Sequence, residues 1–137
     1  MADIVALEGI LKEMESVPGV SDAVLVSRSG MHIAGSVPQG AHAETFVAMF
    51  AILLGAAETA TSELKERLDN VVIELESSRI LIINDGPKAI FVLRTSRSAD
   101  VDSVRAEVTM EISMPRTLSI LSYSISGKIN CSRTPRL

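Results

Sequence analysis

The chain has 137 residues and a formal net charge of −4, and 47% of its residues are hydrophobic, 22% charged and only 3% aromatic. This length fits one domain that buries enough apolar surface to fold without a disulfide or a metal ion. The acidic balance and the few aromatic residues argue against a nucleic-acid partner, which favours basic surfaces with stacking side chains. The single Cys131 and an N-terminus without basic and apolar blocks predict a cytoplasmic protein.

The first half of the chain predicts a helix, a β-hairpin and a second, longer helix. Pro18-Gly19 ends the first helix, because neither residue continues a helix comfortably. Two short apolar runs, 23–27 and 31–36, flank Arg28-Ser29-Gly30 and predict the hairpin. The longer helix is expected over roughly residues 42–68, with an apolar first part and a charged end.

The second half predicts three strands and a last helix. Three β-rich runs are separated by turns so short that neighbouring strands must be antiparallel. They cover residues 71–76, 79–84 and 88–95. The last helix ends before Pro115 and has one apolar stripe. The stripe consists of Val101, Val104, Val108 and Ile112.

The predicted strands are apolar at consecutive positions, as in 71–73 and 80–83, rather than at alternating ones. A sheet with one solvent-exposed face would alternate, so both faces of this sheet need cover. The sequence therefore predicts an α/β sandwich of the α+β type, in the order helix, two strands, long helix, three strands, helix. The long helix covers one face, and the two terminal helices cover the other.

The charge changes sign near the end of the last helix. All seventeen acidic residues precede residue 113, so residues 1–112 carry −8 and residues 113–137 carry +4. We therefore divide the chain into a globular domain, 1–112, and a Ser-rich basic C-terminal tail, 113–137. Leu121, Tyr123 and Ile125 alternate with serines in the tail. Two interpretations stay open: a loosely ordered extension, or an added edge strand or clasp onto a partner.

Patterns typical of catalysis, cofactor binding or metal binding are missing from the sequence. Gly127-Lys128 lacks the preceding glycine and the following Ser or Thr of a phosphate-binding loop. His32 and His42 lie in different predicted elements and do not form a metal-ligand set. Glu74 and Glu76 are better explained as a solvated strand end than as paired catalytic carboxylates. We therefore predict no catalytic, cofactor-binding or metal-binding residues and no enzymatic activity.

The long helix has no polar face over residues 46–54. A helix that is apolar all round must be buried all round, and its own sheet covers one side only. A second copy of the chain is the favoured cover for the other side, and a helix covered by the tail is the alternative. A strip of small residues, Ala48, Ala51, Gly55 and Thr59, lets two helix backbones approach closely. The apolar run 46–57 is too short to predict a membrane span.

The hairpin segment reads DAVLVSRSGMHIAGS over residues 22–36 and follows Pro18-Gly19-Val20. It resembles the opening hairpin of the roadblock (dynein light-chain) family, in which a helix and a Gly-Val turn precede a strand, a glycine-bearing turn and a second strand. The resemblance continues in the same element order over about residues 3–112. It includes the Ala-rich long helix and the segments 70–73, 80–84 and 89–93.

This resemblance implies a five-stranded antiparallel sheet between helices and a homodimer. In the family, the long helices of two protomers pack together and the third strands join into one continuous sheet. The resemblance also implies a regulator or scaffold of a Ras-like small GTPase. Members that stimulate GTP hydrolysis do so by arranging the catalytic groups of the GTPase itself. The tail, 113–137, has no match in the family.

Two interfaces are therefore expected on and beside the long helix. The dimer interface is expected at Ala48, Met49, Ala51, Ile52, Leu53, Gly55, Val71, Ile73 and Leu75. The GTPase-binding surface is expected at Ala43, Thr45, Met49 and Phe50, with Phe50 as its main anchor. Two alternatives remain: an assembly scaffold without effect on nucleotide turnover, and a sensor that holds a small ligand between sheet and helix.

Overall fold

The computed structural model describes residues 2–85 and 89–113, and the predicted order of elements is confirmed. The helices are α1 (Ala2–Glu15), α2 (Ala43–Thr61) and α3 (Val101–Ser113), and a 3₁₀ turn (Ser62–Leu64) follows α2. The strands are β1 (Val20–Ser27), β2 (His32–Gly35), β3 (Asn70–Glu74), β4 (Ser78–Asp85) and β5 (Ala89–Ser96). The expected tail strand, Gly127-Lys128 and Cys131 lie outside the described residues.

The five strands form one antiparallel sheet in the order β2-β1-β5-β4-β3. Strand β5 is central, and its Leu93 pairs with Ala23 of β1 on one side and with Leu81 of β4 on the other. Strands β2 and β3 are the two edges. Strand β3, which contains Val71 and Ile73 of the expected dimer interface, is therefore an edge strand.

Two separate apolar cores cover the two faces of the sheet. Helices α1 and α3 pack on one face, where Leu7, Met14, Val104 and Val108 belong to one buried cluster. Helix α2 packs on the other face, where its buried residues contact alternate side chains of β1, β4 and β5. These side chains are Val24, Val26, Ile80, Ile82, Ile90 and Val92. The predicted sandwich, with α2 alone on one face, is confirmed.

The long helix ends earlier than we predicted. The α-helix stops at Thr61 instead of near residue 68, and Lys65 adopts a left-handed conformation with φ of 58° after the 3₁₀ turn. The hydroxyls of Thr59, Thr61 and Ser62 donate to backbone carbonyls one turn earlier, which weakens continuation of a helix. The chain then turns back so that Leu68 packs against the core beneath α2. Burial of Leu68 thus outweighs the helix propensity of the charged segment.

Candidate protein-interaction surface

Helix α2 has a buried face and an exposed face, and both are apolar. Val47 and Leu54 are 1% exposed and pack on the sheet. On the opposite side, Met49 is 55%, Ile52 62% and Leu53 37% exposed. Since an amphipathic surface helix presents polar residues to water, this helix departs from the usual pattern on its outer side.

The outer face of α2 is also free of charge. Its exposed residues are Thr45, Met49, Ile52, Leu53, Ala56, Thr59 and Ala60, and we call this set the α2 outer face. The two acidic residues of α2 lie elsewhere: Glu44 is in the first turn, and Glu58 is half-buried in an ion pair with Arg28. Monomeric soluble proteins rarely expose a large uncharged apolar surface of this kind.

The residues expected in the dimer interface fall into two groups on α2. Met49, Ile52 and Leu53 belong to the α2 outer face. Ala48, Ala51 and Gly55 are half-buried on the flank of the helix. A Cβ built on Gly30, which has φ of +94°, would lie 3.3 Å from Ala48 Cα and 3.9 Å from Ala51 Cβ. The close approach of the β1–β2 turn therefore gives these two alanines a packing role inside the protomer.

The other expected dimer residues lie on or after β3, at the open edge of the sheet. Val71 and Ile73 are half-buried and pack against the core beneath α2, while Leu75 follows the strand and is 43% exposed. The Leu75 amide donates to Ser78 O at 2.8 Å, so the backbone groups of every second residue before it, Ile73 and Val71, also point toward β4. The backbone groups of Asn70, Val72 and Glu74 accordingly point away from β4, toward the free edge.

The opposite edge of the sheet is covered by α1. The Gly35 amide of β2 donates to Glu8 Oε2 of α1 at 3.2 Å, and the Ser36 hydroxyl donates to Glu15 Oε2 at 2.9 Å. Side chains that occupy edge hydrogen-bonding groups prevent further strand pairing. Of the two edges, β3 is thus the one that offers its backbone to another strand.

The residues expected to bind a GTPase lie toward the N-terminal half of α2. Ala43, Thr45 and Met49 are exposed. Phe50 is half-buried: it packs against the core beneath α2 and meets the Phe46 ring edge-to-face, with ring centroids 4.7 Å apart. Phe50 therefore contributes to the protomer core as well as to the surface.

Sequence reasoning missed a polar cluster that fixes the C-terminal half of α2 on the sheet. Arg28 of the β1–β2 turn donates through Nη2 to Glu58 of α2, and through Nη1 to Asn84 Oδ1 of β4 at 3.0 Å. Asn84 Nδ2 in turn donates to Glu58 Oε2 at 3.1 Å. The one signal in the sequence was Glu58 itself, a lone acidic residue within an otherwise apolar helical stretch.

Among the described residues, the gap between α2 and the sheet is small. The gap there measures about 160 Å³ and is lined by residues that include Phe46, Asp22 and Arg94. Ligand pockets usually measure roughly 300–1,000 Å³. Within the described ranges, 2–85 and 89–113, no group of three or more His, Cys, Asp or Glu side chains is arranged to hold a metal ion.

Within the part of the chain that the structure describes, one helical segment, Ala43–Leu64, is long and apolar enough to cross a membrane by length and composition. The apolar run 46–57 alone is shorter, and the flanking residues 43–45 and 58–64, which are mostly Ala, Thr and Glu, extend it to this length. In this fold the segment lies on the sheet, with Val47 and Leu54 buried beneath it. We interpret its apolar outer side as a surface for a protein partner.

Comparison with known proteins places this geometry in a family. Residues 6–95 match the model of the Roadblock/LC7 domain. The chain belongs to the Roadblock/LC7 family. The resemblance noted in the sequence is confirmed, and so is the fold that it implied. The division at residue 112 stays a prediction.

Solved structures of this fold cover most of the Roadblock/LC7 chain. An MglB structure with a tetrameric arrangement aligns with a TM-score of 0.78 and 19% identity, over 90% of this chain and 93% of that one. The gliding protein MglB from Thermus thermophilus aligns with a TM-score of 0.76 and 20% identity, over the same shares. A Roadblock/LC7 domain from Streptomyces avermitilis aligns with a TM-score of 0.71 and 20% identity, over 85% and 95%.

A protein of higher sequence identity comes from an archaeon. An uncharacterised protein of Methanocaldococcus jannaschii is 29% identical over 106 residues, which are 77% of this chain and 87% of that protein. The similarity therefore spans most of both chains.

Proposed function

We propose that this Roadblock/LC7 protein is a homodimer that regulates a Ras-like small GTPase. The observation that carries the proposal is the uncharged α2 outer face beside the open edge of β3. A solvated helix gains nothing from exposing Met49, Ile52 and Leu53, whereas covering them removes apolar area from water. Membership in the Roadblock/LC7 family and the similarity to the gliding protein MglB support the regulatory role.

The proposed dimer uses both features of this side of the molecule. The α2 outer faces of two protomers pack against each other around Ile52 and Leu53, and the β3 edges pair into one continuous sheet. Val71 and Ile73 then become buried beside the helices. The tetrameric arrangement of one MglB structure supports self-association of this fold.

The proposed GTPase surface lies where α2 begins, around Ala43, Thr45, Met49 and Phe50. These residues are at the opposite end of α2 from the Arg28–Glu58 ion pair. The protein is proposed to supply no catalytic residue and to act by positioning groups of the GTPase. We also propose that it works in the cytoplasm, where such GTPases are accessible.

The experiment measures binding and hydrolysis with the small GTPases of the same organism. Thr45→Arg places a long charged side chain at the proposed GTPase surface, and Thr109→Arg makes the same change on α3, on the other face of the sheet; both threonines are exposed. Calorimetry with GDP-loaded and GTP-analogue-loaded GTPase should detect binding to wild-type protein and to Thr109→Arg. Binding to Thr45→Arg should fall about 10-fold or more, because an unpaired charge at an interface is costly.

Light scattering on each variant distinguishes a loss of GTPase binding from a loss of the dimer. If an intact dimer binds none of the GTPases in either nucleotide state, the regulatory proposal fails. If it binds one and leaves the rate of GTP hydrolysis unchanged, the scaffold alternative replaces it. The sensor alternative is disfavoured by the narrow gap of about 160 Å³ between α2 and the sheet.

A further inference from the structure

A groove runs along α3 on the face of the sheet opposite α2. It consists of two adjoining pockets of about 440 and 600 Å³, which share Val17, Pro18 and Glu107 in their walls. The α1–β1 connection forms one wall, and α3 forms the other. The groove lies along α3 from Asp100 to Glu111, which corresponds to about 16 Å of helix.

The groove combines an apolar floor with an acidic rim. Val17, Pro18 and Val104 line it, and Met110, which is 71% exposed, stands at its end. The charged residues among its described lining are all acidic. They are Glu13, Asp100, Glu107 and Glu111. An occupant of this groove should therefore be basic and partly apolar, and about five extended residues fill its length.

The C-terminal end of the same chain has this chemistry. Residues 113–137 contain no acidic residue, and their charge of +4 comes from Arg116, Lys128, Arg133 and Arg136. The alternating Leu121, Tyr123 and Ile125 supply apolar side chains between these cations.

The tail also begins at the groove. Met110 and Glu111, in the last turns of α3, line the groove, and the described part of the chain ends at Ser113. The 24 residues that follow can span up to about 80 Å when extended, so every part of the groove is within reach. A tethered segment is present at an effective concentration of about millimolar, so weak contacts suffice for occupancy.

We propose that a stretch of about five residues within 116–137 binds in cis in this groove. Basic side chains of the tail pair with the acidic rim, and apolar side chains of the tail cover Met110 and Val17. The groove and α2 are on opposite faces of the sheet, so this contact is independent of the proposed GTPase regulation. Binding of the tail in the groove leaves the α2 outer face accessible to a partner.

The test uses the full-length protein with a nitroxide label on Cys131, its one cysteine. In NMR spectra, the label should broaden the amide signals of Val17, Gly19 and Glu107. The amides of Ile52 and Ala56, on the far face, serve as the internal reference. High salt should reverse the broadening, because it screens exposed ion pairs.

A pair of matched variants then tests the acidic rim. Glu107→Gln combined with Glu111→Gln removes two rim charges, and Glu63→Gln combined with Glu66→Gln removes two exposed charges after α2. The first variant should lose most of the broadening, and trypsin should cut after Lys128 and Arg133 about threefold faster, as expected for the loss of two surface pairs. The second variant should behave like wild type in both measurements.

Several outcomes overturn the proposal. The proposal fails if the amides at the groove are not selectively broadened. It also fails if the broadening survives high salt and the loss of Glu107 and Glu111, or if the Glu63 and Glu66 variant has an equal effect.

A mixture of ¹⁵N-labelled Cys131→Ser chains with unlabelled, spin-labelled chains tests whether the tail binds its own chain. Broadening in that mixture shows that the tail binds a second copy, which contradicts binding in cis.

Discussion

At the scale of single residues, a polar cluster joins α2 to the sheet in addition to the apolar core. Glu58 accepts hydrogen bonds from Arg28 and Asn84, which come from a turn and a strand far away in sequence. The Arg28 and Glu58 side chains are 30% and 27% exposed, so water screens the pair only partly. Exposed ion pairs contribute little to stability, but a half-buried pair with additional hydrogen bonds contributes more.

Replacing Glu58 with Ala should therefore lower the free energy of unfolding by about 1–3 kcal/mol, because Arg28 and Asn84 lose their shared acceptor. Glu63→Ala is the matched control, since Glu63 is an exposed glutamate in the 3₁₀ turn that follows the same helix. It should change stability by less than about 0.5 kcal/mol. Urea unfolding at one fixed protein concentration measures both changes in the free energy of unfolding. Equal effects of the two substitutions would show that the cluster of Arg28, Glu58 and Asn84 adds no stability of its own.

At the scale of elements, periodicity and turn chemistry were sufficient to predict the order of the helices and strands and the layers that they form. Consecutive apolar residues in β4 and β5 required cover on both faces, and the short turns required antiparallel neighbours. All five strands begin and end within three residues of the predicted runs. The end of α2 was wrong because Leu68 is held by a tertiary contact that a local pattern does not contain.

The candidate surface was predictable for a different reason. An uncharged helix such as residues 46–54 has more apolar area than one sheet can cover, and this is visible in the sequence alone. How Phe50 divides between core and surface depends on its contact with Phe46 and on the sheet below. The partners of Glu58 are 26 and 30 residues away along the chain. The sequence alone does not give the strand register that places Arg28 and Asn84 beside Glu58.

The register of β3 gives a test of edge pairing. Val72 directs its backbone N–H toward the free edge, whereas Ile73 directs its own toward β4. Val72→Pro removes a donor that only a neighbouring molecule can use, so it should weaken the dimer while the protomer stays folded. Ile73→Pro removes a bond of the internal ladder and should lower the stability of the protomer itself. Sedimentation and thermal unfolding of both variants distinguish the effects, and an undisturbed dimer in Val72→Pro would refute pairing through β3.

At the scale of the whole molecule, the two faces of the sheet carry different surfaces. The α2 side presents an uncharged apolar helix and an open strand edge, and the other side presents a groove with an acidic rim. Burying a charged surface requires a counter-charge, whereas an apolar helix is complementary to a copy of itself. The fold thus separates the face suited to self-association from the face suited to a basic segment.

This asymmetry leads to a prediction about the oligomeric state. Ile52→Glu places a carboxylate in the middle of the α2 outer face, where the proposed dimer would bury it without a partner, so the dissociation constant should rise at least about 100-fold. Val5→Glu is the matched control, because Val5 is also an exposed aliphatic residue. Val5 is 73% exposed and Ile52 is 62% exposed, and Val5 lies on α1, which covers the opposite face of the sheet. Multi-angle light scattering over a dilution series should find dimers for wild type and Val5→Glu and monomers for Ile52→Glu. A wild-type protein that stays monomeric at micromolar concentration would contradict the dimer and leave the α2 outer face to a different partner.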